Sequence, residues 1–470
     1  MQGKQYYQAK LFMNGDLEKY IPSNHKLRKI DKILDLSFVR KLTESFYSQR
    51  QGRPSIDPEV FFRMLIISYL YGLSSDRELC EEIQVNLAFR WFLRLSLEDK
   101  VADHSSLTKI RDRLGEDIFR KIFEGMVEQC RKAGFIKGER MMVDATLVEA
   151  DASIGSLEEK EGSETPERKA YKSYLDQFNR YSEGRKVPRY SNDTHESATD
   201  PDSSLVGRTG CFKKLFYKAH YSSDAESRII TDCFVTNGAT QEIEVLVPRI
   251  DYQLKKYDFP IAEVIADRGY SSRGNYEFLK SKGIRSYIPL KEPSGGQGGI
   301  SKNEFRYDAK EDCFICPQNK FLYRIGINRI KKGITYKIKD DSCLSCPLKT
   351  VCVPNGKART IMRTDFDDER VRLRQRMKTT FFKSKLHERM WKVEGLFAEA
   401  KQLHCLRRAR YRRREKVQIQ VYMTAFVQNL KRLLTMGIEN FGIPVQSLIS
   451  RFFQLYSRYF LGTTLISTEI

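Results

Sequence analysis

From Ser55 onward the apolar positions fall into a helical repeat. The run SIDPEVFFRMLIISYLYGL predicts a helix with Asp57 as N-cap, Pro58 at the first helical position and Gly72 near its end. SSDRELCEEIQVNLAFRWFLRL and GEDIFRKIFEGMVEQCRKAG predict two further amphipathic helices, with DHSSLTKIRDRLG between them. The period then changes. RMMVDATLVEADAS predicts a strand, and CFKKLFYKAHYSSD and SRIITDCFVTNG, split by the turn-forming DAES, predict an antiparallel hairpin. A helix (TQEIEVLVPRIDYQLKKY), a strand (FPIAEVIADRGY), a helix (SSRGNYEFLKSKG) and a strand (IRSYIPLK) follow. That order predicts an α/β fold with a sheet of mixed direction.

Shifts in pattern set the expected boundaries. Residues 1–54 form a polar N-terminal segment, and 55–135 an all-α domain. Such a domain on a basic chain suits DNA through helix-turn-helix geometry, and suits packing or dimerisation equally well. Residues 136–293 carry the first part of an α/β core, interrupted at 155–210 by a polar loop or arm rich in Ser, Glu, Asp and Arg. SGGQGG, Ser294 to Gly299, opens a β-leaning, cysteine-bearing insertion over 294–364. The core resumes over 365–435, and 436–470 is a C-terminal helical segment.

Charge narrows the function. The chain has 470 residues, 40% hydrophobic and 30% charged, a globular balance. Lys plus Arg number 82 against 61 Asp plus Glu, a net charge of +21, which points to a polyanionic partner: nucleic acid or an anionic membrane surface. No stretch of 18 uninterrupted apolar residues and no signal-like start is present, so the expectation is a cytoplasmic protein with no membrane role and reduced cysteines. No GxxxxGK[ST] loop is present, so no nucleotide cofactor is expected.

Three carboxylates stand out. Asp144 interrupts the apolar run from Met141 to Val148, where an ionised group needs a cation or hydrogen-bond donors. Asp267 follows Val264-Ile265-Ala266 at the carboxyl end of a strand, where α/β sites collect. Glu394 sits in the helical segment MWKVEGLFAEAKQLH, on a face shared with Ala398 and Lys401, beside the apolar face of Val393, Leu396, Phe397 and Ala400. Each has an ordinary alternative as a turn former or a solvated helix residue. His220 in YKAH reads as a packed core histidine or a site neighbour, Asp200 and Asp202 as turn chemistry around Pro201, and Asp151 as a weaker alternative to Asp144.

Five of the ten cysteines crowd together: Cys313, Cys316, Cys343, Cys346 and Cys352. Two CxxC pairs across a β-leaning stretch are a zinc-ribbon pattern, with four thiolates around one structural Zn²⁺; reduced cysteines without metal are the alternative. Further on, Arg407, Arg408, Arg410, Arg412, Arg413, Arg414 and Lys416 form a basic patch with only Glu415 to offset them and Tyr411 interleaved. Such a patch neutralises phosphates, so DNA binding through it is expected to weaken steeply with salt.

VDATLVEADAS, YKAHYSSD with FVTNG, VIADRGYSSRGNYEFLK and RMWKVEGLFAEAKQLHCLRRARYRRREKV together resemble the DDE-type transposases of bacterial insertion sequences. The nearest likeness is to the group sometimes called the eleven-eighty-two group, which carries a Cys-rich insert before the catalytic Glu. The resemblance implies an RNase H-like core, with a mixed five-stranded sheet and flanking helices. It puts the catalytic acids on Asp144, Asp267 and Glu394, which would hold two Mg²⁺ or Mn²⁺ ions for in-line phosphoryl transfer. Arg389 and Lys401 correspond to the basic residues flanking the catalytic Glu. Within the insert, relatives keep Cys316-Pro317 and the later cysteines, which leaves Cys313 and Cys352 as rivals for the fourth zinc ligand. Leu386 and His387 depart from the pattern, since many relatives have a tyrosine ahead of the Arg. The implied partners are double-stranded DNA, as element ends and target, and a second copy of the chain. A catalytically silent DNA-binding relative and a nuclease of the same fold are the alternatives.

Overall fold

The computed structural model describes residues 16–48, 55–160, 190–207, 213–291, 300–329, 333–353, 356 and 358–441. The chain divides into two compact units, Met1–Ile265 with Glu388–Ile470, and Ala266–His387. Six helices open the first: α1 (Lys26–Ile33), α2 (Ser37–Thr43), α3 (Pro58–Leu70), α4 (Asp76–Val85), α5 (Leu87–Phe92) and α6 (His104–Lys132). Helix α3 starts as its sequence predicts, with Asp57 accepting the Glu59 N–H at 2.8 Å and Pro58 in the first turn. Ten consecutive residues from Phe61 to Leu70 are buried, so α3 is covered on all sides. Its Arg63 is balanced by Asp31 at 2.7 Å and Glu59 at 3.0 Å.

Two expected boundaries move. The segment after Ser75 breaks at Asn86, whose side chain accepts the Phe89 N–H and starts α5 as a separate helix. DHSSLTKIRDRLG, expected as a connector, is helical from His104 as far as Gly115, where the next expected helix takes over. Gly115 has φ 65° and ψ 175°, a non-helical conformation open essentially to glycine alone, so two helical stretches meet there at a kink.

The sheet follows in β1 (Arg140–Glu149), β2 (Leu157–Glu159), β3 (His195–Ser197), β4 (Ser204–Val206), β5 (Lys214–Asp224), β6 (Ile230–Asn237), helix α7 (Leu246–Tyr257) and β7 (Glu263–Ala266). Strand β5 is its axis. On one edge it pairs antiparallel with β1, setting Asp144 opposite Tyr221. Its other edge is shared: Lys214–Phe216 pair β4, and residues from Tyr217 to Ser223 pair β6 in the expected hairpin. On its far side β1 neighbours β7. The polar stretch expected as a loop over 155–210 carries the small β2–β3 ribbon and β4; residues 161–189 of it lie outside the described residues.

The second unit holds α8 (Arg273–Ser281), β8 (Arg285–Tyr287), and the strands β9 (Arg306–Asp308), β10 (Cys313–Ile315), β11 (Phe321–Asn328), β12 (Gly333–Lys337) and β13 (Thr360–Thr364). Helix α9 (Lys349–Cys352) precedes β13, and α10 (Asp367–Lys378) follows it. The strands form a five-stranded sheet in the order β13-β12-β11-β10-β9 over a core of Ile300, Phe305, Phe314, Leu322, Tyr336, Ile338 and Ile361. Two helices close the described chain, α11 (Thr380–Leu403) and α12 (Arg414–Phe441). The fold is mixed α/β.

Helix α12 does more than cover the sheet. Gln418, Gln420, Thr424, Gln428 and Asn429 are fully buried within it. Gln418 accepts the Val235 N–H at 2.7 Å and donates to the Cys233 carbonyl at 3.3 Å. Eleven residues on, three turns along the same face, Asn429 accepts the Ile230 N–H and donates to the Ile230 carbonyl, both at 2.8 Å. Side-chain amides thus satisfy backbone groups of β6 that no further strand pairs.

Candidate active site and basic segment

Asp144 projects from the middle of β1 toward α11. Arg389 Nη1 donates to its Oδ2 at 2.7 Å, and the Ala145 N–H to its Oδ1 at 2.8 Å. Both side chains are largely buried, Asp144 15% and Arg389 12% exposed. The carboxylate in the apolar run therefore has the cation and donor that its burial requires. Tyr221, opposite Asp144 in the register, stacks on Phe397 of α11 with ring centroids 4.6 Å apart. Arg389 and Phe397 thus hold α11 against one face of β1 and β5, and Glu394 lies between them in sequence, exposed. Gly395 allows this approach: a Cβ there would stand 2.8 Å from Arg228 Nη2, which donates to the Lys392 carbonyl at 3.0 Å.

Asp267 belongs to the other unit, immediately after β7. It caps a short turn, accepting the Gly269 N–H at 2.7 Å, and Tyr270 behind it is buried. His220 is a core residue, its Nε2 paired with Thr236 Oγ1 at 3.0 Å. Burial first, then the positive Lys218 and Arg249, push its pKa down to about 3, so the ring is neutral at pH 7.

The basic segment differs most from its sequence reading. It is strapped along the end of β1: the Glu149 N–H donates to the Arg407 carbonyl at 3.1 Å, and the Ala409 N–H to the Glu149 carbonyl at 2.7 Å. Acids far away in sequence offset its charge. Asp151 pairs with Arg408 at 2.9 Å and Arg412 at 3.1 Å, Glu116 with Arg414 at 3.3 Å, and Asp112 with Lys416 at 2.8 Å. Arg410 is turned inward, its guanidinium 4.3 Å from the Tyr69 ring and its Nη1 on Ser68 Oγ at 2.9 Å. A DNA-facing role for Arg410 is therefore corrected: it joins the segment to α3. Arg407, Arg408, Arg412 and Arg413 are exposed, and Lys401 is half-buried on α11.

Several residues of consequence were not legible beforehand. Asp200 Oδ1 accepts the Arg413 N–H, and Asp202 Oδ2 the Arg414 N–H, both at 2.9 Å, so the pair anchors the start of α12. Asp200 also takes the Tyr217 hydroxyl at 2.5 Å. The only signal was the Asp-Pro-Asp spacing, read as a turn. Glu399 collects His404, Lys431 and Arg432, and these hold its carboxyl down at about 2 despite burial. Nothing in its local sequence marks it.

Four of the five clustered cysteines share one place. Cys316, Cys343, Cys346 and Cys352 line a single cavity with Phe305 and Leu322. Cys316 Sγ accepts the Lys320 N–H at 3.2 Å. Cys313 lies apart on β10, fully buried among Asp308, Glu311 and Asp312, so it is not the rival fourth member. Among the described residues no group of three or more His, Cys, Asp or Glu side chains is drawn into a metal cage. No described helix is long and apolar enough to cross a membrane.

Family models match at both ends. Residues 15–113 match a transposase domain (DUF772), and residues 315–434 match a transposase DDE domain. The chain resembles the DDE-type insertion-sequence transposases. The DDE match takes in Glu394, the cysteine quartet and the basic segment, while Asp144 and Asp267 lie between the two matches. Among solved structures, the transposase-like chain is similar to piggyBac transposase in a synaptic complex with hairpin DNA. The identity is 11% over 94% of this chain and 82% of that one, with a TM-score of 0.33. It is also similar to Mos1 transposase in a paired-end complex with the left transposon end, at 11% identity and a TM-score of 0.16; the match covers 51% of this chain and 61% of that one.

Proposed function

We propose that this chain is a DNA transposase that binds the ends of an insertion sequence and catalyses strand cleavage and strand transfer from an RNase H-like core. The observation that carries the reading is the DDE-domain match over the helix bearing Glu394, taken with Asp144 held against that same helix. Asp144, Asp267 and Glu394 form the acidic set. Their donors are carboxylate oxygens only, the chemistry that Mg²⁺ and Mn²⁺ prefer. A bound pair of such ions would lower the pKa of the attacking water or 3′-hydroxyl and stabilise the leaving 3′-oxygen. Asp144 is fixed in direction by the Ala145 N–H, and Arg389 balances its charge. Exposed Arg407, Arg408, Arg412 and Arg413 meet the DNA backbone, fixing position without reading sequence. Two element ends held together call for at least a dimer.

The cysteine quartet fits structural zinc. Four thiols line one cavity, and thiolates are the soft ligands that structural zinc takes; binding would have to draw them together.

Asp144→Asn, Asp267→Asn and Glu394→Gln should each lower divalent-metal-dependent nicking of an element end by at least about a thousandfold while DNA binding survives. Wild-type-like nicking by any one variant removes that residue from the site. Joined products with a target plasmid distinguish a transposase from a nuclease that only hydrolyses.

A further inference from the structure

The sheet of the second unit buries one face and leaves aromatic and aliphatic side chains open on its central strand. Leu322 points into the core, whereas Phe321 and Tyr323, on the opposite face of β11, are 46% and 42% exposed; beyond them a bulge between Arg324 and Gly326 changes the register. Monomeric proteins rarely expose such a run unless something uses it. The Phe321 and Tyr323 rings lie nearly parallel, 26° between planes and 6.3 Å between centroids. Lys337 pairs with Tyr323 across the strands and so shares its face, and Lys339 Nζ stands 4.9 Å from the Tyr323 ring. Arg306 and Asp308 of β9, opposite Ile315 and Cys313, complete that side. Asp308 is the acidic member of that side, and the β11–β12 stretch itself is basic. From Pro317 to Lys339 there are seven basic residues and no acidic one.

We infer that this β11 face is a docking platform for an unpaired DNA strand, with bases stacking on Phe321 and Tyr323 and phosphates meeting Lys337 and Lys339. The inference rests on the reading of the chain as a DNA-acting protein and adds to it a site and a strandedness. Parallel exposed rings suit unstacked bases, because every base offers a π face, whereas a duplex keeps its bases stacked and out of reach. Lys337 and Lys339 beside the rings supply the salt-dependent share of binding. A strand cut at an element end would supply such unpaired nucleotides.

The experiment titrates the full chain with a short single-stranded thymidine oligonucleotide and, separately, with a duplex of the same length, in the absence of added Mg²⁺ or Mn²⁺. Tyr323→Ala should weaken single-strand binding about tenfold, and Phe321→Ala with Tyr323→Ala roughly a hundredfold, with duplex affinity nearly unchanged. Both residues are exposed, so folding should tolerate the change. As a second arm, Phe321→Trp should keep single-strand binding and show quenched indole emission when the oligonucleotide is added. Unchanged single-strand affinity in the double variant overturns the inference. So does an equal loss for single strand and duplex, an unquenched Trp in a chain that still binds, or a shift in oligomeric state as the only effect of the double variant. Because no cleavage is measured, the platform can fail while nicking persists, and Asp144→Asn can lose nicking while single-strand binding persists.

Discussion

The two units solve stability differently. The first, built on β1, β5 and α12, buries charged and amide side chains and gives them partners: Arg111 on Asp76, Gln418 and Asn429 on the free backbone of β6, Glu399 among three cationic or imidazole groups. The second unit's five-stranded sheet has a core of seven buried side chains and leaves much of its central strand exposed. A deep core can hold polar groups because packing around them fixes their partners. A thin one lacks that resource and needs a staple, which is where the cysteine quartet sits. The catalytic candidates are divided too, with Asp267 in the second unit and Asp144 and Glu394 in the first. Asp144 and Arg389 are held by the deep unit, and the cysteines and the stacking platform belong to the shallow one.

The sharpest way to break the comparison is at Arg111. It is 2% exposed, bidentate to Asp76, and lies over the Tyr411 ring at 4.3 Å. Arg111→Ala should cost about 3–5 kcal/mol in urea-denaturation stability, because Asp76 is left without its partner. A loss below about 1 kcal/mol would mean that water reaches the pair and that the first unit is not deep.

Metal removal should act on the other unit alone. On the proposal that the cysteine quartet holds Zn²⁺, treatment with a chelator, or Cys343→Ser, should raise hydrogen exchange across β9–β13 while β1 and β5 stay protected. Cys313→Ser should leave zinc content unchanged, since Cys313 lies away from the cavity. No zinc in the purified chain by elemental analysis would leave the sheet held by its apolar core.

The smallest effect is expected from acid. His220 titrates near 3 in the folded chain against 6.5 unfolded, and Glu399 near 2 against 4.5. Below pH 6.5 the unfolded chain takes up a proton on His220 that the folded chain refuses, so stability falls as pH drops toward 3. Glu399 adds its own loss from 4.5 downward. Urea midpoints should fall from pH 6.5 to pH 5 by the equivalent of about 2 kcal/mol at most, and His220→Gln should flatten that slope. A slope unchanged by His220→Gln assigns it to other groups.

Much of the local structure was legible in the pattern. Asp57-Pro58 started α3, the β5–β6 hairpin followed from its two alternating runs, and Asp144 drew attention as a charge in an apolar strand. These are decided by neighbours within a few residues: a cap, a turn, a period. The break at Gly115 was legible, but the stretch before it, expected as a connector, is helical from His104, capped by Asp103. The basic segment misled because charge counted along the chain ignores Asp112, Glu116 and Asp151, which only folding brings alongside.

Sequence alone determined many of the elements, the excess positive charge, and where along the chain the acids and cysteines stand, since each is a property of residue type and spacing. Tertiary structure alone decided that Arg389 meets Asp144, that Arg410 turns inward, that Cys313 stands apart and that Asp200 and Asp202 anchor α12. The physical reason is the range of the interactions. Hydrogen-bond periodicity and turn chemistry act over a few residues, whereas ion pairs, buried amides and shared cavities join positions that the chain itself keeps up to hundreds of residues apart.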